Sequence, residues 1–379
     1  MKVEKGLIAG GVVLTGVLCW VGGSHAVEFA TVGARAAGMG GAGVAVTSDA
    51  YATYWNPAGL AMSKTIDIRV GVSGQVIDRV GVTDALNDID KLNFNDITPA
   101  NQARLQSLVD RINRPGASIS AIGAGGIYLK GYYGDHAFGI SVADVVTAGM
   151  FAPTRLAAVV NGTQLDVSGQ LALQGLEARQ VTFSYAYAFL DRMFSVGVTG
   201  KAIQGAAYNG TATVTNGDVQ ITDSIGKANL STTFGFDLGA MYRPSSWFRA
   251  GVVAKDINQP AFDTRTGGEY KLHSQVRGGV AVNPWETLTV TADVDLTSNK
   301  TLVPGIKSRV VSVGVEQTFL SEMLSLRGGA FKNIADANSY ITPTAGLGLR
   351  LWALRADVGG GYDFRERGVL VSGTVAMVF

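Results

Sequence analysis

Residues 66–77, I-D-I-R-V-G-V-S-G-Q-V-I, alternate apolar and polar side chains almost from end to end. Successive side chains of a strand point to opposite faces. Ile66, Ile68, Val70, Val72 and Val76 therefore share one face, with Asp67, Arg69, Ser73 and Gln75 on the other. Such a strand stands between two different solvents. The same alternation recurs near residues 118–130, 137–147, 178–189, 194–207, 230–243, 248–257, 271–282, 287–298, 308–319, 323–333, 340–351, 353–364 and 368–379. About fourteen strands, an even number, predict an all-β fold: a closed antiparallel transmembrane β-barrel.

The connections support this reading. Short turns at 131–136, 190–192, 244–247, 283–286, 320–322 and around Trp352 alternate with longer loops at 78–117, 148–177, 208–229, 258–270, 299–307, 334–339 and 365–367. Outer-membrane barrels have short periplasmic turns and longer outside loops, so both termini are expected in the periplasm. Tyr132, Phe189, Tyr242, Trp247, Trp285, Phe319, Trp352 and Phe379 cluster at or beside the short turns, as an aromatic girdle at headgroup level would. Within the first long loop, Leu105, Leu108, Val109 and Ile112 fall at helical spacing, which predicts a helix capping its neighbours. The last strand places Val369, Val371, Val375, Met377 and Phe379 on its outer face. A one-residue slip would turn that whole set into the lumen.

Composition agrees. Of 379 residues, 50 are glycine and only 16% are charged, against about a quarter charged in ordinary soluble domains. No apolar run beyond the leader reaches the roughly 20 residues of a membrane helix. Residues 1–26 read as a signal peptide: Lys2 and Lys5, an apolar middle, then Ser24-His25-Ala26 as the cleavage site. The only cysteine, Cys19, lies inside that leader, where the bulky Leu18 before it fits lipoprotein processing badly. The mature chain is then thiol-free, which excludes disulfides, cysteine nucleophiles and thiolate metal sites. Net charge is +1, falling to neutral with the leader removed, so there is no electrostatic case for nucleic acid.

Between leader and first strand lies G-A-R-A-A-G-M-G-G-A-G-V-A-V-T-S-D-A-Y-A-T-Y-W-N-P-A-G-L-A, residues 33–61. It is too rich in glycine and alanine to build a helix or strand of its own. Asn56-Pro57 forces a turn, and Ala58 and Gly59 complete a rigid corner. The domain reading is a signal peptide over 1–26, a plug over 27–64 and a barrel over 65–379. This stretch resembles the N-terminal hatch of the FadL-like outer-membrane proteins, transporters of long-chain fatty acids and other hydrophobic compounds. Its relatives called PorV-like and conjugal-transfer TraF-type share the pattern. The resemblance implies a hatch inside the lumen of a Gram-negative outer-membrane barrel. It also implies passive transport of hydrophobic small molecules or fatty acids into the lipid bilayer. In that family the matching N-P-A segment lies near an inward kink of the third strand that opens the wall sideways. Asn56, Pro57 and Ala58, with Gly59, are accordingly the hatch and gate candidates, and Gly139 is the kink position in this chain's third strand.

No catalytic constellation appears, and a non-enzymatic protein without cofactor or metal is expected. Gly38-x-Gly40-x-x-Gly43 matches the dinucleotide fingerprint literally, but no strand precedes it and the context that motif requires is missing. His136 and His273 lie in no recognisable motif. By parity, Asp67, Arg69, Lys201, Asp237, Arg277, Asp293, Asp295, Glu316, Arg327, Arg350, Arg355 and Asp357 point inward. They form either a lumen lattice of ion pairs or, at Lys201, Arg277 and Arg350, contacts for a carboxylate headgroup. Two functions stay open: a transporter, or a scaffold docking secretion or transfer machinery. A transporter is expected to hold a continuous apolar pocket behind the outer loops, and a scaffold a packed lumen with an apolar surface outside the membrane.

Overall fold

A computed structural model describes residues 29–379, apart from 216–217, 222–227, 264–268 and 366. The expected signal peptide lies outside these residues. Fourteen antiparallel strands form the wall. They are β1 (Asp67–Arg79), β2 (Ser118–Tyr133), β3 (His136–Phe151), β4 (Gln164–Phe189), β5 (Phe194–Thr215), β6 (Asn229–Tyr242) and β7 (Phe248–Lys255), followed by β8 (Gln275–Trp285), β9 (Leu288–Asp295), β10 (Val310–Phe319), β11 (Leu324–Asn333), β12 (Thr342–Leu351), β13 (Leu354–Tyr362) and β14 (Val369–Val378). Each strand pairs with the next, and β1 pairs with β14 from Asp67↔Val378 to Val76↔Val369, which closes the barrel. Closure gives every strand a neighbour on both sides, the condition for strands to cross a bilayer.

The faces follow the sequence parity. Ile66, Ile68, Val70, Val72 and Val76 are exposed on the outer surface, whereas Asp67 and Arg69 are buried. On β14, Val369, Val371, Val375 and Met377 are exposed, while Leu370, Ser372 and Thr374 are buried. The proposed girdle aromatics are all exposed at the short-turn end, Trp352 almost completely at 97%. Both ends of the barrel chain, Ile66 and Phe379, meet at that same end through paired backbone hydrogen bonds of 2.9 and 2.8 Å.

The wall is uneven in height. The loops expected over 148–177 and 208–229 are in large part strand, because β4 and β5 continue well past the barrel as a 26- and a 22-residue strand. Short strands Ala157–Asn161 and Asp218–Ile221 extend this sheet at its two edges. Its inner face buries Leu165, Val167, Leu171, Ala212 and Val214 against α3 (Val82–Asp90) and α4 (Pro99–Ile112). Leu105, Leu108, Val109 and Ile112 are the buried face of α4, as their spacing predicted. The alternation that marks a membrane strand is weak in this extension, because one side is polar and solvated and the other is covered by helices, not by lipid. Together these elements form a cap over the long-loop end of the lumen.

Candidate functional site

The hatch fills the barrel beneath that cap. Against the expectation that this stretch builds no helix, it contains the short α1 (Ala34–Gly38) and α2 (Ala52–Trp55) and a 3-10 turn over Pro57–Met62, which form because the wall around them supplies the partners that so short a helix lacks. Little of its backbone is regular, so its polar groups need partners from elsewhere. The wall supplies them. The first amides of α1, at Gly33 and Ala34, donate to Ser73 Oγ (3.2 Å) and Thr374 Oγ1 (3.1 Å). Thr344 Oγ1 accepts from Gly40 N (2.9 Å) and donates to Gly38 O (3.1 Å). Asp293 Oδ2 accepts from the amides of Gly43 (2.7 Å) and Val44 (2.9 Å).

The close approach of hatch to wall rests on glycine. Inward glycines on ten strands lie against hatch atoms, where a Cβ would collide. A Cβ on Gly329 would fall 2.5 Å from the Met39 carbonyl carbon, one on Gly314 2.5 Å from Met39 O, and one on Gly346 3.0 Å from Gly38 Cα. Gly40 itself has φ +69 and faces the carbonyls of Ala330 and Val313, a conformation open chiefly to glycine. The literal Gly38-x-Gly40-x-x-Gly43 motif is thus a packing surface, with no nucleotide geometry around it.

Asn56 is fully buried at the corner. Its Nδ2 donates to Val44 O (3.3 Å) in the hatch and to Ala240 O (3.2 Å) on β6, and its Oδ1 accepts from Ala58 N (3.2 Å), capping the 3-10 turn. Ser195 Oγ donates to Ala58 O at 2.8 Å. Pro57 and Ala58 press on Gly197 of β5 and Gly239 of β6. Thr53 and Leu60 are the hatch residues that face Gly139 on β3. The ladder of β3 runs unbroken from His136 to Phe151 against both β2 and β4, so the third strand carries no wall opening in this structure.

The inward charges form networks. Arg35 of α1 meets Glu316 at 2.6 Å, Glu316 meets Arg327 at 2.6 Å, and Arg327 meets Asp357 at 2.7 Å. This chain binds the hatch to β10, β11 and β13. Arg69 pairs with Asp67 (2.7 Å) and with Asp49 of the hatch (3.3 Å). Of the three basic residues proposed for a headgroup, Lys201 is buried between Asp237 (2.7 Å) and Asp256 (2.6 Å). Arg277 is buried against Asp295 (2.6 Å), with its guanidinium 4.0 Å from the centre of the Phe29 ring. Arg350 lies away from both, at the short-turn rim, paired with the exposed Glu322 at 2.6 Å. A buried pair holds each charge in place and makes loss of one partner costly.

His136 Nδ1 shares a 2.8 Å hydrogen bond with the Tyr185 hydroxyl. Partial burial, with Lys300 and Lys271 nearby, pushes the His273 imidazole below its usual value. No group of residues suited to a metal ion occurs among the described residues. Between hatch and cap are two small chambers of about 60 and 40 Å³. Phe29 borders both; Arg79, Arg277 and Ser312 line the first, and Tyr54, Lys201, Lys255 and Leu272 the second. Neither is a continuous apolar pocket.

The architecture has solved counterparts. The Ralstonia pickettii toluene transporter TbuX aligns over 93% of this chain and 98% of its own, with a TM-score of 0.55 at 15% identity. The CymD monoaromatic hydrocarbon channel gives 0.54 at 13% identity, and the Pseudomonas putida toluene transporter TodX 0.51 at 12%, each with the same coverage. All three are channels or transporters by name, and at these identities the likeness establishes the fold. No curated protein matches by sequence. A family model for the TraF protein of the F plasmid transfer operon matches residues 53–295, from the hatch across β9. That match covers well over half of the 379 residues, and the chain belongs to this TraF family.

Proposed function

We propose that this protein is a passive outer-membrane channel for small hydrophobic molecules, seen in its closed form. The observation that carries the reading is the combination of an apolar belt with a lumen closed by a separate, non-strand segment. A plug held by side-chain bonds can shift while the wall keeps its ladder hydrogen bonds. The likeness of the fold to that of the toluene transporters supports the same reading. Among hydrophobic solutes, small rings suit this lumen better than long-chain fatty acids. Lys201, Arg277 and Arg350 already carry carboxylates of the protein, so none is free to receive a headgroup. The chambers are below the roughly 150 Å³ that accommodates one benzene, so passage requires movement of hatch or cap.

The orientation proposed here puts both termini and the short turns in the periplasm, as loop lengths favour. In intact cells, a cysteine at Asn161, on the cap, should react with an impermeant thiol reagent, and one at Glu286 should not. The opposite pattern would invert the topology.

A second reading has its own support. The lumen is packed, and the cap has a hydrophobic core of its own beyond the barrel, which a simple channel does not need. With the family's place in a transfer operon, this favours a scaffold that docks transfer or secretion components. Uptake of labelled toluene by cells with and without the protein separates the two. A channel should raise the initial rate several-fold. Rates independent of the protein for toluene and for a long-chain fatty acid would end the transport reading.

A further inference from the structure

We infer that the wall opens to the bilayer between β6 and β7, which makes this seam the portal for a hydrophobic solute; the inference rests on the channel reading above. The two strands share only five residue pairs, from Leu238↔Ala254 to Tyr242↔Ala250, the shortest ladder between neighbouring strands of the described wall. Beyond Lys255 the chain leaves the sheet. Asp256 and Gln259 take left-handed conformations, with φ of 52 and 50. The following residues fold inward, burying Phe262 and Tyr270 with Leu176, Ala178 and Ile203 of β4 and β5.

β6 meanwhile continues upward without a strand partner on that side. Its outward residues there are apolar and lipid-facing: Phe234 is 63% exposed, Phe236 46% and the adjoining Ile257 40%. The break therefore lies within the apolar belt. Irregular backbone at that depth is tolerated where it is covered by protein or lines a cavity. Among the described residues the missing ladder is replaced beside Phe234 and Phe236 by three bonds, two of them from one side chain, and further up by Asn229 Nδ2 donating to Asp263 O (3.1 Å). Asn258 Oδ1 accepts from Phe236 N (3.0 Å), Asn258 Nδ2 donates to Phe234 O (2.7 Å), and Ile257 N donates to Phe236 O (3.0 Å).

The smaller chamber lies directly behind, lined by Tyr54, Leu272, Lys255 and Asp256. Between chamber and seam, Lys201 bridges Asp237 and Asp256, and Asp256 N donates to Asp237 Oδ1 at 2.8 Å. This cluster ties β5, β6 and the end of β7 together on the lumen side. Rotation of the Asn258 side chain, release of Asp256 and loss of the single backbone bond from Ile257 N to Phe236 O would part the seam at this level without breaking any of the five ladder pairs.

A reversible cross-link tests this. A Phe236→Cys/Ile257→Cys pair joins the seam across a backbone hydrogen bond, and an Ile127→Cys/Val142→Cys pair joins directly opposed residues of β2 and β3. Each is combined with Val145→Cys, which faces the chamber, in protein reconstituted into vesicles with a maleimide that partitions into the bilayer. Oxidising the β6–β7 pair should slow labelling of the chamber cysteine by about tenfold, reversed by reductant, while oxidising the β2–β3 pair should not. Labelling that ignores the β6–β7 link, or that stops only with the β2–β3 link, overturns the portal. The two failures are distinguishable: a protein-independent toluene rate would end the channel reading and with it the portal's role, whereas labelling that ignores the β6–β7 link would end the portal alone.

Discussion

Deletion of residues 30–62 should convert a closed barrel into an open pore that still inserts. The wall hydrogen bonds run strand to strand around the full circle, and none of the fourteen strands lies in the deleted segment. Barrels of about eight strands are filled by their own side chains, whereas those of about 16–18 leave an aqueous channel. At fourteen strands the lumen needs a filler, and the hatch supplies it. Single-channel recordings in planar bilayers should show stable conductance for the deletion and none for the intact protein, and cells should become sensitive to hydrophilic antibiotics. Heat-modifiable folding on gels checks that the barrel has formed. A folded, inserted deletion that remains closed would mean that the cap alone seals the lumen.

Gly329→Leu should unseat the hatch while leaving the strands intact. The new Cβ would meet the Met39 carbonyl carbon at 2.5 Å and Gly40 N at 2.6 Å. Both are backbone atoms, so no flexible side chain can yield. Overpacking of this kind costs about 1–3 kcal/mol even in cores that can adjust, and here it opposes the bonds that seat α1. The expected result is trypsin cleavage at Arg35 in detergent-solubilised protein, together with partial conductance. Gly373→Leu is the control. Nothing lies within 4 Å of its Cβ, and it should leave cleavage and conductance unchanged, since leucine only adds apolar surface on an outward face. Equal behaviour of the two variants would remove the glycine seat from the account.

The alternation of residues 66–77 and its repeats was sufficient to read the barrel, the strand number and the alternation of loop lengths. The reason is physical: lipid on one side and a polar lumen on the other impose a period of two on every spanning strand. The glycine- and alanine-rich stretch before β1 was legible as a plug for a related reason, since it can bury itself only where a wall surrounds it. Parity also brought Asp67, Arg69, Asp293 and Glu316 to the inside. It could not say which partner each charge would choose, because pairing crosses from strand to strand and from wall to hatch, as Glu316 does in joining Arg35 to Arg327. Parity likewise placed Arg350 inward, but its position next to a turn carries its side chain to the rim.

Three features belonged to the tertiary structure alone. The upper halves of β4 and β5 look like loop until α3 and α4 are seen to cover them. The inward glycines, readable one by one as turns or kinks, become a binding surface only when ten strands bring them around one hatch. The seam between β6 and β7 depends on where the shorter β7 leaves the sheet beside the longer β6, which the alternation of side chains does not mark. Periodicity reports which solvent a residue faces. Register, closure and the fit of one segment inside another are decided only when the chain meets itself.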